Sequence, residues 1–150
     1  MLHTVGLDRF IYALYLVVSI LFYGIGLVSA YGVLLRLINF GLEITLTTWL
    51  FVAYAIINFL IGYGFMYHRR WLLIAFTGGA TLMIFQCVYF FSIGDVGRAT
   101  FLYPSIALLS TILLFLFITR RALTGEYTEG RILTVFFVTL LFSFWVTISS

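Results

Sequence analysis

Two uncharged stretches meet at one basic pentapeptide, Tyr67-His68-Arg69-Arg70-Trp71. Ile44 to Tyr67 is 24 residues without Asp, Glu, Lys, Arg or His, and Trp71 to Gly94 is another 24. At about 1.5 Å per residue, a helix of that length spans roughly 36 Å, more than the ~30 Å hydrocarbon core of a bilayer. Adjacent arginines are costly inside that core. The pentapeptide therefore marks where the chain reaches the membrane surface and reverses, and the two stretches are predicted to form a helical hairpin.

The rest of the chain has the same character. Only 9% of its 150 residues are charged and 64% are hydrophobic, whereas a soluble domain carries about 25% charged residues to face water. An integral membrane protein follows, read as one transmembrane domain over residues 1–150. Met1 to Arg9 is too weakly charged, and the apolar run behind it too long, for a cleaved signal peptide. The first span is expected to be retained.

Five spans are predicted, at about 10–35, 44–67, 71–94, 99–119 and 132–150. The first is longer than a perpendicular crossing needs, so it is expected to tilt or to end at the interface. The fourth carries Pro104 in its first turn, where a missing amide costs little. The fifth has 19 residues, about 28 Å, just enough to cross. The expected fold is a compact all-α bundle of five transmembrane helices with short loops. Its fallback is four helices plus one re-entrant helix.

All eight basic residues are arginine. Five crossings place Arg9, Arg69, Arg70, Arg120, Arg121 and Arg131 on one side, and Arg36 and Arg98 on the other. The richer side is the cytoplasmic one, so the N-terminus is expected inside and the C-terminus outside. The arginines fall at span ends, where they meet lipid phosphates or snorkel. Contact with membrane lipid or a partner is thus expected of His68, Arg69, Arg70, Arg120, Arg121 and Arg131, and nucleic-acid binding is not.

Small residues point to close helix packing, and Gly24, Gly26, Ala30, Gly62, Gly64, Ala75 and Gly79 are the candidates. Gly24-Ile25-Gly26-Leu27 and Gly62-Tyr63-Gly64-Phe65 echo one another at an offset of 38 residues. Their flanks do not align, so no internal repeat is inferred. Polar groups at depth are few. Asn58, Gln86 and Ser110 join Thr139, Ser143 and Thr147, which are four apart on one helix face, as candidates for a polar path. Such groups more often glue helices together or bond back to the preceding turn.

No catalytic motif appears. His3 and His68 lack the carboxylates or cysteines that would complete a metal or haem site, and Cys87 has no partner for a disulfide. No catalytic residue, metal or cofactor is expected. No predicted span holds a charged residue in its interior, which argues against proton-coupled transport. The leading expectation is a non-catalytic membrane subunit packing in a larger complex or in a homo-oligomer. The alternatives are a small channel or carrier, and a sensor signalling through the basic loop between Arg120 and Arg131.

Overall fold

A computed structural model of the protein describes residues 2–40 and 45–149. Its elements are helices α1 (Leu2–Phe40), α2 (Leu46–Met66), α3 (Trp71–Ser92), α4 (Val96–Phe101), α5 (Tyr103–Ile118) and α6 (Gly130–Ser149), with a 3-10 turn at Arg120–Ala122 before α6. No strand occurs among the described residues. With α4 and α5 taken as one broken span, five segments are long and apolar enough to cross a membrane: Arg9–Asn39, Leu46–Met66, Trp71–Ser92, Val96–Ile118 and Gly130–Ser149. The protein is an all-α, multi-pass membrane bundle. At 20 residues, α6 is about 30 Å long, enough to cross the hydrocarbon core.

Two boundaries differ from the sequence expectation for physical reasons. The first helix has 39 residues, about 58 Å, and continues through Arg9 and Arg36 instead of stopping at them. A charge ends a membrane crossing, but arginine is a good helix former, so the helix itself runs on. Arg36 lays its guanidinium 5.0 Å above the Phe51 ring of α2. The fourth span starts earlier, at Val96, and breaks at Leu102. Pro104 has no amide hydrogen for the carbonyl four residues back, and its ring crowds that carbonyl. The α-helical register resumes when the Ile106 amide donates to the Leu102 carbonyl at 3.0 Å.

Side chains set two helix starts. The Thr45 hydroxyl accepts from the Thr48 amide at 3.4 Å, and the Asp95 carboxylate accepts from the Arg98 amide at 2.9 Å. Both satisfy first-turn amides that lack intrahelical partners. Asp95 also pairs with Arg98 at 3.2 Å, and Arg98 sits 5.7 Å over the Phe90 ring. Asp95 is thus partly exposed at a helix end, while Glu43 lies outside the described residues.

In space, α1 packs along α2, α2 along α6, α6 against α3, and α3 against α4 and α5. Lipid is as apolar as leucine, so shape complementarity has to hold such helices together. Along α1 and α2 it takes the form of glycines covered by aromatic rings in antiparallel order. A Cβ at Gly62 would stand 3.1 Å from the Tyr23 ring, one at Gly26 3.1 Å from Phe59, and one at Gly32 3.1 Å from Phe51. The buried Ser19 hydroxyl adds an interhelical hydrogen bond to the Gly62 carbonyl at 2.8 Å.

The core is concentrated at the arginine-rich end. Tyr15, Phe65, Trp71, Leu72, Phe76, Leu116, Leu123, Leu133 and Phe136 form one buried cluster there. A smaller one, Cys87, Phe90 and Ala99, joins α3 to α4. The outward faces are almost wholly apolar: Leu16, Ile20, Val28, Leu108, Leu114 and Val138 are all exposed, as lipid-facing residues are.

Candidate functional site

The polar groups of the arginine-rich end form an interlock between the α2–α3 turn and the loop after α5. The turn is a Schellman motif. Past the last residue of α2, the His68 amide donates to the Phe65 carbonyl at 3.2 Å and the Arg69 amide to the Gly64 carbonyl at 2.9 Å. That geometry needs a left-handed residue, and His68 supplies it at φ 53°. The α3–α4 turn uses the same pair of bonds, Gly94 amide to Phe91 and Asp95 amide to Phe90, but with glycine at φ 79°. An L residue in this conformation costs roughly 1–2 kcal/mol, so His68 holds a position where glycine is the ordinary choice.

The His68 ring is lodged against α1. Its centroid lies 4.8 Å from that of Tyr12, edge to face, and 4.8 Å from that of Tyr15. Its Nε2 is buried with no hydrogen-bond partner among the described residues, as are Arg69 Nε and Trp71 Nε1. Burial pulls the imidazole below the ordinary histidine value, since removing water penalises the cation. Tyr15 also ties α1 to the end of α5. Its hydroxyl stands 2.7 Å from Thr119 Oγ1, while Thr119 gives its own proton to the Phe115 carbonyl at 2.8 Å. Tyr15 is therefore the donor of the pair.

The loop closes over this turn. The Thr124 amide donates to the His68 carbonyl at 2.6 Å and the Arg70 amide to the Thr124 carbonyl at 3.1 Å, making a one-residue parallel bridge. Arg70 Nε adds a bond to the Leu123 carbonyl at 3.1 Å, and Leu123 itself is buried in the core. Arg69 pairs with Glu129 at 3.2 Å, both side chains about a quarter exposed. Gly125 lies between them at φ 81°; a Cβ there would stand 2.9 Å from Arg69 Nη1 and 3.1 Å from Glu129 Oε1. Tyr127 stacks 5.5 Å under the Arg70 guanidinium.

Of the six residues expected at the interface, His68 and Arg69 are thus turned to internal contacts, and Arg70 is tied inward through its backbone amide and its Nε. Arg120 lies 5.0 Å over the Phe117 ring, and Arg120, Arg121 and Arg131 are exposed. His3 falls outside the described side chains. No group of three or more metal-binding side chains occurs among the described residues.

The candidate polar path is divided. Asn58 donates to the Tyr54 carbonyl of its own helix at 2.7 Å. Thr139, Ser143 and Thr147 donate to the carbonyls of Val135, Thr139 and Ser143 at 2.7, 2.9 and 2.8 Å. The stripe on α6 therefore presents lone pairs to its neighbours and few donors. Gln86, Ser143 and Thr147 meet at a cavity of about 50 Å³ between α3 and α6, beside Gly79. Thr139 instead borders an apolar groove of about 410 Å³ between α2 and α6, and Ser110 is exposed on α5.

The small-residue candidates divide in the same way. Gly26 and Gly62 lie under rings, and Gly64 lies under Leu72 and Trp71, 2.6 and 2.8 Å from where its Cβ would be. Ala75 is fully buried and Ala30 partly so. Gly24 and Gly79 have nothing within 4 Å of a Cβ, because Gly24 faces outward and Gly79 borders the small cavity. Gly78, next to Gly79, and Gly32 are also closed over by rings, those of Phe137 and Phe51. One residue along a helix turns the side chain by about 100°, which spacing alone did not resolve. No protein family model, curated protein or solved structure matches the chain.

Proposed function

We propose that the protein is a non-catalytic, multi-pass membrane subunit that packs in a larger membrane assembly or with its own copies. What supports this reading is the way its buried polar groups are used. Within the spans, Asn58, Thr139, Ser143 and Thr147 bond back into their own helices, and the buried Ser19 hydroxyl ties α1 to α2. At the arginine-rich end, turn, loop and α1 are bound to one another. That is the economy of a scaffold, with its outward surface left to lipid or neighbouring helices. Extraction in mild detergent followed by sizing tests it: co-purifying subunits or a defined oligomer is expected, and a lone monomer overturns it.

A second reading, a small channel or carrier, draws support from the convergence of Gln86, Ser143 and Thr147 on one cavity. Flux through liposomes holding the pure protein separates the two, and leakage abolished by Gln86→Leu would favour the carrier. We further propose, from the arginine bias, that the N-terminus and the α2–α3 turn face the cytoplasm and the C-terminus the outside. A reporter fused after Ser150 that is active only outside should be active.

A further inference from the structure

We propose that the groove between α3 and α6 at the arginine-rich end is a site for one anionic phospholipid, with its phosphate on Arg70 and an acyl chain in the groove. The groove measures about 360 Å³ and is lined by Leu73, Ile74, Thr77, Gly78, Tyr127 and Phe137. Its volume lies within the range of small-molecule sites, about 300–1,000 Å³. The wall is apolar in effect, because the Thr77 hydroxyl is spent on the Leu73 carbonyl at 2.7 Å. Gly78, having no side chain, lets the Phe137 ring close against α3 as part of the wall.

The charge lies at one end. Arg70 is three and four residues before Leu73 and Ile74, one turn nearer the surface on the same side of the chain. Its guanidinium covers Tyr127, a groove residue, at 5.5 Å, while half of that tyrosine stays exposed. The Arg70 side chain makes one hydrogen bond among the described residues, from Nε to the Leu123 carbonyl. Among the described residues no carboxylate pairs with Arg70: Glu129 pairs with Arg69 and Asp95 with Arg98, while Glu126 forms no ion pair. The partly buried cation also stands at the start of α3, whose positive dipole end adds to its field.

A phosphate matches the planar donors that remain, and an attached chain matches the apolar trough leading along the span. A zwitterionic headgroup brings its own cation and offsets part of the attraction. A free anion would leave the trough empty.

The test is lipid binding to the full chain, delipidated in mild detergent, measured by native mass spectrometry with phosphatidylglycerol and phosphatidylcholine. Phosphatidylglycerol should bind about fivefold more tightly, the factor expected for one arginine near a lipid surface. Arg70→Gln should remove that preference, Thr77→Phe should weaken both lipids by filling the trough, and Arg121→Gln, an exposed arginine elsewhere, should change neither. Equal binding of the two lipids overturns the proposal. So does a loss on Arg121→Gln equal to that on Arg70→Gln, unaltered binding by Thr77→Phe, or displacement by inorganic phosphate. Because Arg70 also holds Leu123, Thr77→Phe decides the matter if Arg70→Gln fails to fold.

Discussion

The amide of Thr124 donates to the carbonyl of His68 across 2.6 Å, so the loop after α5 is hydrogen-bonded to the turn that joins α2 and α3. Residues far apart in sequence close the bundle at one end, while the opposite ends of the spans have no comparable cluster among the described residues. Stability should accordingly be polarised toward the arginine-rich end, and substitutions there should be felt along the whole chain.

Gly125→Ala tests that interlock. The glycine is left-handed at φ 81°, which costs an alanine roughly 1–2 kcal/mol. The new methyl would also stand 2.9 Å from Arg69 Nη1 and push Arg69 off Glu129. The expected result is a clearly lower melting temperature in mild detergent and faster cleavage after Glu126 by a glutamate-specific protease. Gly130→Ala, with nothing within 4 Å of its Cβ, should change neither.

The link from Tyr15 to Thr119 predicts an asymmetric pair of variants. Tyr15→Phe removes a donor and leaves Thr119 bonded to Phe115, so about 1 kcal/mol should be lost. Thr119→Val leaves a tyrosine hydroxyl buried without an acceptor, which costs about 1–3 kcal/mol. The double variant should then be no worse than Thr119→Val alone. Unfolding of the four proteins in parallel gives the cycle, and a double variant with fully additive loss would show that the hydroxyls do not interact.

Much of this fold was legible in the residues because a bilayer punishes charge and leaves a coarse signal. Arg69 and Arg70 could only be a surface turn, and the uncharged runs around them could only be spans. Gly26 and Gly62, singled out as small residues within the spans, lie under the Phe59 and Tyr23 rings. What stayed hidden was nonlocal or directional. Nothing near Leu123 says that one leucine of a polar loop is buried in the core, because its partners lie on other helices. Gly78 and Gly79 have the same composition signal, and only the rotation of α3 tells which meets a ring. The C-terminal turn at Gly94 announced itself by its glycine, while the same turn at His68 used a residue that carries no such mark. The break at Leu102 was half visible in Pro104, but proline at a first turn reads as a start, and here α4 precedes it.

Gly64→Ala and Gly24→Ala should part company although both glycines look like packing residues in sequence. Leu72 and Trp71, which would face a Cβ at position 64 at 2.6 and 2.8 Å, are both fully buried and have no room to move. Overpacking of this kind costs typically 1–3 kcal/mol. Gly24 meets nothing, so alanine there should be neutral or should stabilise through helix propensity. Thermal unfolding in the same detergent checks both, and a neutral Gly64→Ala would mean that the α2–α3 turn is looser than described.

His68 should make the protein sensitive to acid. Its neighbours are the Tyr12 and Tyr15 rings from α1 and, along the chain, the cations Arg69 and Arg70, and among the described residues no carboxylate forms an ion pair with it. Burial lowers its folded-state value below the ordinary 6.5, so the unfolded chain binds the proton more readily than the folded one. Stability is then fully present above about pH 6.5 and falls as the pH drops through the folded value. His68→Asn keeps a side chain that tolerates the left-handed conformation and cannot titrate. Melting temperatures between pH 8 and pH 5 should decline for the parent chain and stay flatter for His68→Asn. Parallel declines in the two proteins would place the acid sensitivity at a group other than His68.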